Sequence, residues 1–524
     1  MSGPKTIFSL PTEVLEIILQ NLDWYDLQSA MLVCKWWGAT AFVVRSNAVR
    51  LNIVPFVRCD EYQDYKLENY HQTLLLSRRS YKHIAVYWGN WEKCHKTDQV
   101  KDQMILDIIN RFQQTLVSLK IISRKYNMAS WVLLDLLRSC TNLKILNLNE
   151  MQVESLRFSV NESFRTRIHT LYDSRQLIRS ISRAPNLFAN VTTLHVKITP
   201  SNKLTGLFHK LSPQLVNLTL GWDLDWPDHQ HDILPMENFP RLETLATPSF
   251  GSISHLGRFL RNIPKLRMLI LFLQQDGDTS VLRWVNQEHL RHLVLWPQVL
   301  TAKKFAHITR FSSLESLTIR GCYADVPNKL LQDAPVLQNV KRLAIKEHGW
   351  PLFSNDLLKY FNNLTELELH ANKNWNSSDA QNLNGVTSLK RLIIHEGLDA
   401  LEGFMEFCAV LTIPDLTLIT QETIFNETKS FKLSIQAPYI RKLSVYAYMI
   451  DSILYEPMLE SMPNLRRLEL TLQIPCDDDT YKRISQKFPS CDTVRKYFRR
   501  YDSAFDVYER LLQKEVVAPK CALQ

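Results

Sequence analysis

Between residues 191 and 470 one hydrophobic pattern, apolar-x-x-Leu-x-apolar, returns twelve times, once with a polar last position, Thr247. It reads VTTLHV at Val191, LVNLTL at Leu215, LETLAT at Leu242, LRMLIL at Leu266, LRHLVL at Leu290 and LESLTI at Leu314, then VKRLAI at Val340, LTELEL at Leu364, LKRLII at Leu389, IPDLTL at Ile413, IRKLSV at Ile440 and LRRLEL at Leu465. Successive copies start 24, 27, 24, 24, 24, 26, 24, 25, 24, 27 and 25 residues apart. One such hexamer is commonplace, but twelve at this spacing define an internal repeat. LVSLKI at Leu116 and LKILNL at Leu143 extend the array, and the 48 residues from 143 to 191 leave room for a degenerate copy around IHTLYD at Ile168.

Each hexamer predicts a short strand, and amphipathic stretches between them predict helices: WVLLDLLRSCTNL, HLGRFLRNIPKL, NDLLKYFNNL and YEPMLESMPNL. A strand and a helix cannot bury their apolar faces alone, so the units must stack. Helices are wider than strands about 4.8 Å apart, so stacking curves the array. The pattern resembles the leucine-rich repeat, which implies an α/β solenoid shaped like a horseshoe. At the family's polar ladder position, eight residues after the first leucine, Cys322 and Asn372 fit, Asp223 is a variant, and Met151 and Gln298 do not fit.

Strand side chains alternate, so with the fourth and sixth hexamer positions inward, the third, the fifth and the residue after the hexamer face the concave surface. Successive strands then present Met268, Ile270 and Phe272, His292, Val294 and Trp296, and Ser316, Thr318 and Arg320. Next come Arg342, Ala344 and Lys346, Glu366, Glu368 and His370, and Arg391, Ile393 and His395. Aromatic surface beside Arg320, Arg342, Lys346 and Arg391 would suit a ligand with an apolar anchor and an acidic or phosphorylated neighbour. Packing of Phe272 and Trp296 beneath a loop or the tail is the competing reading.

The opening stretch SLPTEVLEIILQNLDWYDLQSAMLVCKWW has a different period. Leu15, Ile18, Leu19 and Leu22 fall on one helical face, Pro11 and Glu13 suit a helix start, and Val14 and Ile17 widen the apolar sector. Three short helices in about 40 residues make a poor independent core, so this surplus asks for a second protein. The segment resembles the F-box through Leu10-Pro11-x-Glu13-x-Leu15-x-x-Ile18-x-x-x-Leu22-x-x-x-Asp26-Leu27 and Val33-Cys34-Lys35-x-Trp37. That resemblance implies docking on a Skp-type adaptor and, through it, on a cullin scaffold. Leu10, Pro11, Leu15, Ile18, Leu22 and Leu27 become candidates for the adaptor face, with Val33 and Trp37 in supporting packing. The domains expected are an F-box at 7–48, a packed connector and solenoid cap at 49–110, repeats at 111–494 and a helical tail or cap at 495–524.

Composition narrows the chemistry. The 62 basic and 53 acidic residues are interspersed, which argues against a nucleic-acid groove. Only 13 glycines occur in 524 residues, with no phosphate-loop motif, and the nine cysteines are scattered without C-x-x-C. The pair His229 and His231, flanked by Asp228 and Asp232, reads as a polar loop rather than a metal site. No nucleophile elbow or catalytic cysteine context appears, so neither intrinsic catalysis nor a cofactor is expected. Without a signal sequence or a membrane-length apolar run, the expected setting is cytoplasmic or nuclear. Together these features resemble the F-box/leucine-rich-repeat class of substrate receptors of cullin-based ubiquitin ligases, with an unknown protein substrate. A repeat scaffold or inhibitor not coupled to ubiquitination is the alternative.

Overall fold

The computed structural model describes residues 11–20, 22, 24–45, 50–53, 71–76, 80–87, 98–122, 127–128, 130–148, 152–153, 166–173, 185–198, 205–222, 234, 236–248, 253–273, 279–296, 299–300, 302–320, 322–323, 336–346, 358, 360–370, 375, 377–395, 401–419, 436–447, 459–472, 486 and 492–497. Two compact units emerge, residues 1–265 and 266–524.

The first unit opens with three helices, α1 (Thr12–Gln20), α2 (Trp24–Val33) and α3 (Lys35–Arg45). The Pro11 carbonyl accepts from the Val14 and Leu15 amides, each at 3.1 Å, which starts α1 directly after the proline. Leu15, Leu19, Leu27, Ala30 and Ala41 form the core, with Leu22, Met31, Trp36, Trp37 and Val44 packed around it. The helices α2 and α3 approach closely at Gly38, where a Cβ would lie 2.9 Å from the Met31 carbonyl oxygen. Any side chain there would push the two helices apart.

Among the described residues of the same unit eight parallel strands of the main sheet follow: β1 (Arg50–Ile53), β2 (His83–Tyr87), β3 (Ser118–Ile122), β4 (Ile145–Asn147), β5 (Thr170–Asp173), β6 (Thr193–Ile198), β7 (Asn217–Trp222) and β8 (Thr244–Pro248). Each pairs with the next in chain order. The copy around IHTLYD is a true member, since Leu171 stands in register between Leu146 and Leu194. The sheet also begins earlier than the hexamers suggest, because β1 and β2 lie within the expected cap. Phe42 of α3 meets Tyr81 edge-on at 5.4 Å, and Tyr81 meets Phe112 at 5.3 Å at the end of α4 (Asp98–Phe112). That aromatic chain ties the helical domain to the start of the sheet.

Among the described residues of the second unit the main sheet has ten parallel strands: β9 (Met268–Phe272), β10 (His292–Trp296), β11 (Ser316–Arg320), β12 (Arg342–Lys346), β13 (Glu366–His370), β14 (Arg391–His395), β15 (Asp415–Ile419), β16 (Lys442–Ala447), β17 (Arg467–Leu472) and β18 (Asp492–Tyr497). They too pair in chain order. The last strand corrects the expected boundary: residues 495–497 belong to β18, not to a helical tail. Pairing there satisfies the backbone groups that β17 would otherwise leave at an edge. Residues 498–524 lie outside the described part.

The repeat leucines explain the stacking. Leu269 and Leu271, Leu293 and Leu295, and Leu317 and Ile319 are buried at the fourth and sixth hexamer positions. Helices α5 (Ser130–Ser139), α6 (Thr205–Leu211), α7 (Ile253–Arg261), α8 (Ala302–Ile308), α9 (Ser377–Asn384) and α10 (Leu401–Val410) alternate with strands. Buried phenylalanines add to each core, with Phe208, Phe239 and Phe259 touching edge-on in the first unit and Phe305 and Phe361 in the second.

A second device joins repeats to one another. Asn142, Asn190, Asn339, Asn363 and Asn464 each precede a hexamer directly, and each donates to a carbonyl of the preceding repeat: Gln114, Thr166, Ser312, Gln338 and Pro438, at 2.6–2.8 Å. In every case that carbonyl lies two residues before the preceding repeat copy. Among the described residues this asparagine ladder sits at the strand entrance. Removing the side chain at the partly buried Asn190 to Thr166 bond, as Asn190→Ala, should lower unfolding free energy by about 1 kcal/mol. A urea melt that shifts its midpoint without changing its slope would register that loss.

Candidate functional site

The helical domain carries more apolar surface than its core consumes. Along α1 the chain turns Leu15 and Leu19 inward, while Pro11, Val14, Ile17 and Ile18 remain exposed. The end of α2 adds Leu32 at 87% exposure and Val33 at 53%, and α3 adds Val43. So many exposed aliphatic side chains on so small a domain are the physical mark of a protein-binding surface.

This arrangement corrects part of the expected adaptor set. Leu15 and Leu27 are fully buried in the core that α1, α2 and α3 share, so they hold the helices together rather than face a partner. Leu22 and Trp37 pack against the same core. Pro11, Ile18 and Val33 are at the surface, whereas Leu10 lies outside the described residues. Ile17 and Leu32 escaped the motif reading because the motif names conserved spacings rather than the outer side of each helix.

The second candidate surface is the strand face of the second unit. On β9, β10 and β11 burial alternates as the hexamer reading requires, leaving Met268, Ile270, Phe272, His292 and Val294 half-buried and Trp296 exposed at 37%. The Phe272 and Trp296 rings are tilted 51° at 4.7 Å, and the Arg320 guanidinium lies 4.5 Å above the indole. The three side chains form an apolar shelf ending in a cation–π contact. Burial pushes the His292 pKa below its ordinary value, with Glu315 opposing and Arg342 and Arg291 adding to the fall.

From β12 onward the same face changes character. The third hexamer positions read Arg342, Glu366, Arg391, Asp415 and Lys442 on adjacent strands, an alternation of charge across the sheet. Arg342 Nε lies 2.9 Å from Glu366 Oε1, Arg391 Nη1 is 3.3 Å from Glu366 Oε2, and both Arg391 and Lys442 reach Asp415 at 3.9 Å. Lys442 also approaches Glu469 at 3.6 Å, and Arg467 Nε bonds Glu469 at 2.8 Å. Burial of Asp415 raises its pKa despite Lys442 and Arg391, whereas at Glu469 burial is outweighed by Lys442, Arg467 and Ser444 together, and the pKa falls.

The expected basic patch is thereby corrected at two positions. Arg342 and Arg391 are engaged by carboxylates of neighbouring strands, so their charge is compensated within the sheet. Lys346 stands opposite Arg320 in the β11/β12 register, but its side chain is outside the described part. The alternating sign was present in the sequence, since third hexamer positions of adjacent repeats must become neighbours.

At the centre of this network lies Glu368, with no exposed surface. Arg342 Nη2 donates to its Oε2 at 2.9 Å, and His395 Nε2 donates to its Oε1 at 2.8 Å. His370 stacks on His395 with ring centroids 3.7 Å apart and planes 18° from parallel. In the first unit Tyr172 stacks on His195 at 4.0 Å on the corresponding face, and burial lowers the His195 pKa to about 4.

No catalytic arrangement emerges among the described residues. Burial raises the thiol pKa of Cys140 to about 11 and raises that of Cys408 as well, which leaves both as inert thiols. His229 and His231 fall outside the described residues. No described helix is long and apolar enough to cross a membrane.

Comparison with known proteins adds one local family match. Residues 7–43 match the F-box-like family model. No curated protein matches the chain in sequence. Among solved structures, the TLR13–ssRNA13 complex is similar at 12% identity and TM-score 0.37, over 81% of this chain and 64% of that one. The chain thus spans just under two thirds of the length of that structure's chain. The Rad7 and Elc1 complex in yeast is similar at 14% identity and TM-score 0.30, over 88% of each chain. A Leptospira interrogans LRR protein is similar at 14% identity and TM-score 0.26, over 82% of this chain and 98% of that one.

Proposed function

We propose that this chain, an F-box-like domain followed by leucine-rich-repeat units, is the substrate-recognition subunit of a cullin-based ubiquitin ligase acting in the cytoplasm or nucleus. The combination is a non-catalytic adaptor architecture, and ubiquitin transfer would belong to its partners. The observation that carries the reading is the exposed aliphatic face of α1 and α2 within the segment that matches the F-box-like family. A Skp-type adaptor supplies the apolar groove that such a face requires, and a cullin scaffold joins through the adaptor.

The strand face of β9, β10 and β11 is the place we assign to a protein substrate. Its shelf of Met268, Ile270, Phe272 and Trp296 offers the aromatic and aliphatic anchor surface on which interface energy concentrates. Compensation of Arg342 and Arg391 shifts the weight of the expected ligand from its acidic or phosphorylated neighbour to its apolar anchor.

Capture of a purified Skp-type adaptor by the full-length chain tests the reading. Stoichiometric capture supports it. Failure of the folded chain to capture the adaptor would overturn it and leave a repeat scaffold without ligase coupling.

A further inference from the structure

We propose that Glu368, His370 and His395 form a binding site for one divalent first-row transition metal ion, zinc under physiological conditions. Among the described residues their potential donor atoms all lie within 4.8 Å of one another. Sheet geometry produces this convergence. Glu368 and His370 are two residues apart on β13 and share one face, while His395 is the register partner of His370 on β14.

Two imidazoles and one carboxylate are a donor set that zinc takes readily, with water in the fourth position. Bonds of about 2.0–2.2 Å place tetrahedral donors about 3.4 Å apart. The pair His395 Nε2 and Glu368 Oε1, now at 2.8 Å, would open slightly, and the remaining separations would close by side-chain rotation. The rings must turn from their stacked arrangement so that each lone pair aims at the ion. Register pairing keeps both histidines close enough for that rotation without moving the backbone.

The surroundings favour an ion at this position. Glu368 and His395 are buried, at 0% and 2% exposure, unlike the exposed acidic clusters that attract cations weakly. Arg342 occupies Oε2 of Glu368 and orients the carboxylate, so that Oε1 is the oxygen directed at the histidines. Four carboxylates (Glu366, Glu368, Asp415 and Glu469) balance four cations (Arg342, Arg391, Lys442 and Arg467) in the connected network, so a divalent ion meets no net positive charge. The bound ion would fasten β13 to β14 on the face opposite the helices.

The test uses the full-length chain, first stripped with a chelator. Zinc titration by calorimetry should give one tight equivalent, and cobalt should give the visible absorption of a tetrahedral site. Substitution His370→Ala should weaken zinc binding at least ~100-fold while circular dichroism remains that of the folded chain. His395→Ala should do the same, and His370→Ala decides the matter if His395→Ala fails to fold. No binding by the parent chain would overturn the site and leave a buried hydrogen-bond network. Binding that survives His370→Ala would place the ion elsewhere and overturn it equally.

Discussion

Replacing Arg342 by alanine should lower the unfolding free energy by about 3–5 kcal/mol, the range for breaking a buried ion pair. The change removes one hydrogen-bond partner of a carboxylate that has no contact with solvent, and it also removes one of the two arginines on Glu366. Glu366 keeps Arg391 and is partly solvated, so most of the cost falls on Glu368. The double substitution Arg342→Met, Glu368→Leu removes both charges and should recover most of the loss, because a packed apolar pair has no desolvation to offset. Urea unfolding of the single and double variants measures the cycle. Equal stability of Arg342→Ala and the parent chain would mean that water reaches Glu368.

The second large effect concerns association and leaves folding untouched. In an Ile17→Asp, Leu32→Asp variant, adaptor capture should weaken by about 1000-fold, taking roughly 2 kcal/mol for each lost apolar anchor. Ile17 is 60% exposed and Leu32 87% exposed, so aspartate at either position costs the isolated chain little, and its melting temperature should stay close to that of the parent. Leu15→Asp makes the opposite contrast, since it places a charge in the helical core and should unfold the domain. Retained capture by the exposed-residue variant would move the adaptor face away from α1 and α2.

Residues whose neighbours are set by the repeat were legible before the structure. Leu269, Leu293 and Leu317 follow one another at hexamer spacing, and parallel pairing places them in adjacent rungs. The same logic could have found the charge alternation, which requires comparing one position across successive hexamers rather than reading along the chain. It could also have found Asn142, Asn190, Asn339, Asn363 and Asn464, whose shared place before the hexamer is plain in the sequence.

Residues whose surroundings depend on how separate elements dock were not legible. Leu15 and Ile17 both belong to the broad apolar sector of α1, and only the docking of α2 and α3 decides that one is core and the other surface. Arg342 and Arg391 looked like ligands for an anion because a single strand shows one charge at a time. Their carboxylate partners reside on the strands before or after.

The alternating charges also impose a rule of parity on how this protein can change length. Excising the single unit that carries Glu366 would bring Arg342 beside Arg391, and duplicating it would set Glu366 against a second copy of itself. Either event juxtaposes like charges on a partly buried face, whereas gain or loss of two consecutive units between Arg342 and Lys442 preserves the order of signs, which ends where Lys442 pairs with Arg467. Within that stretch, change of length should therefore proceed in steps of two.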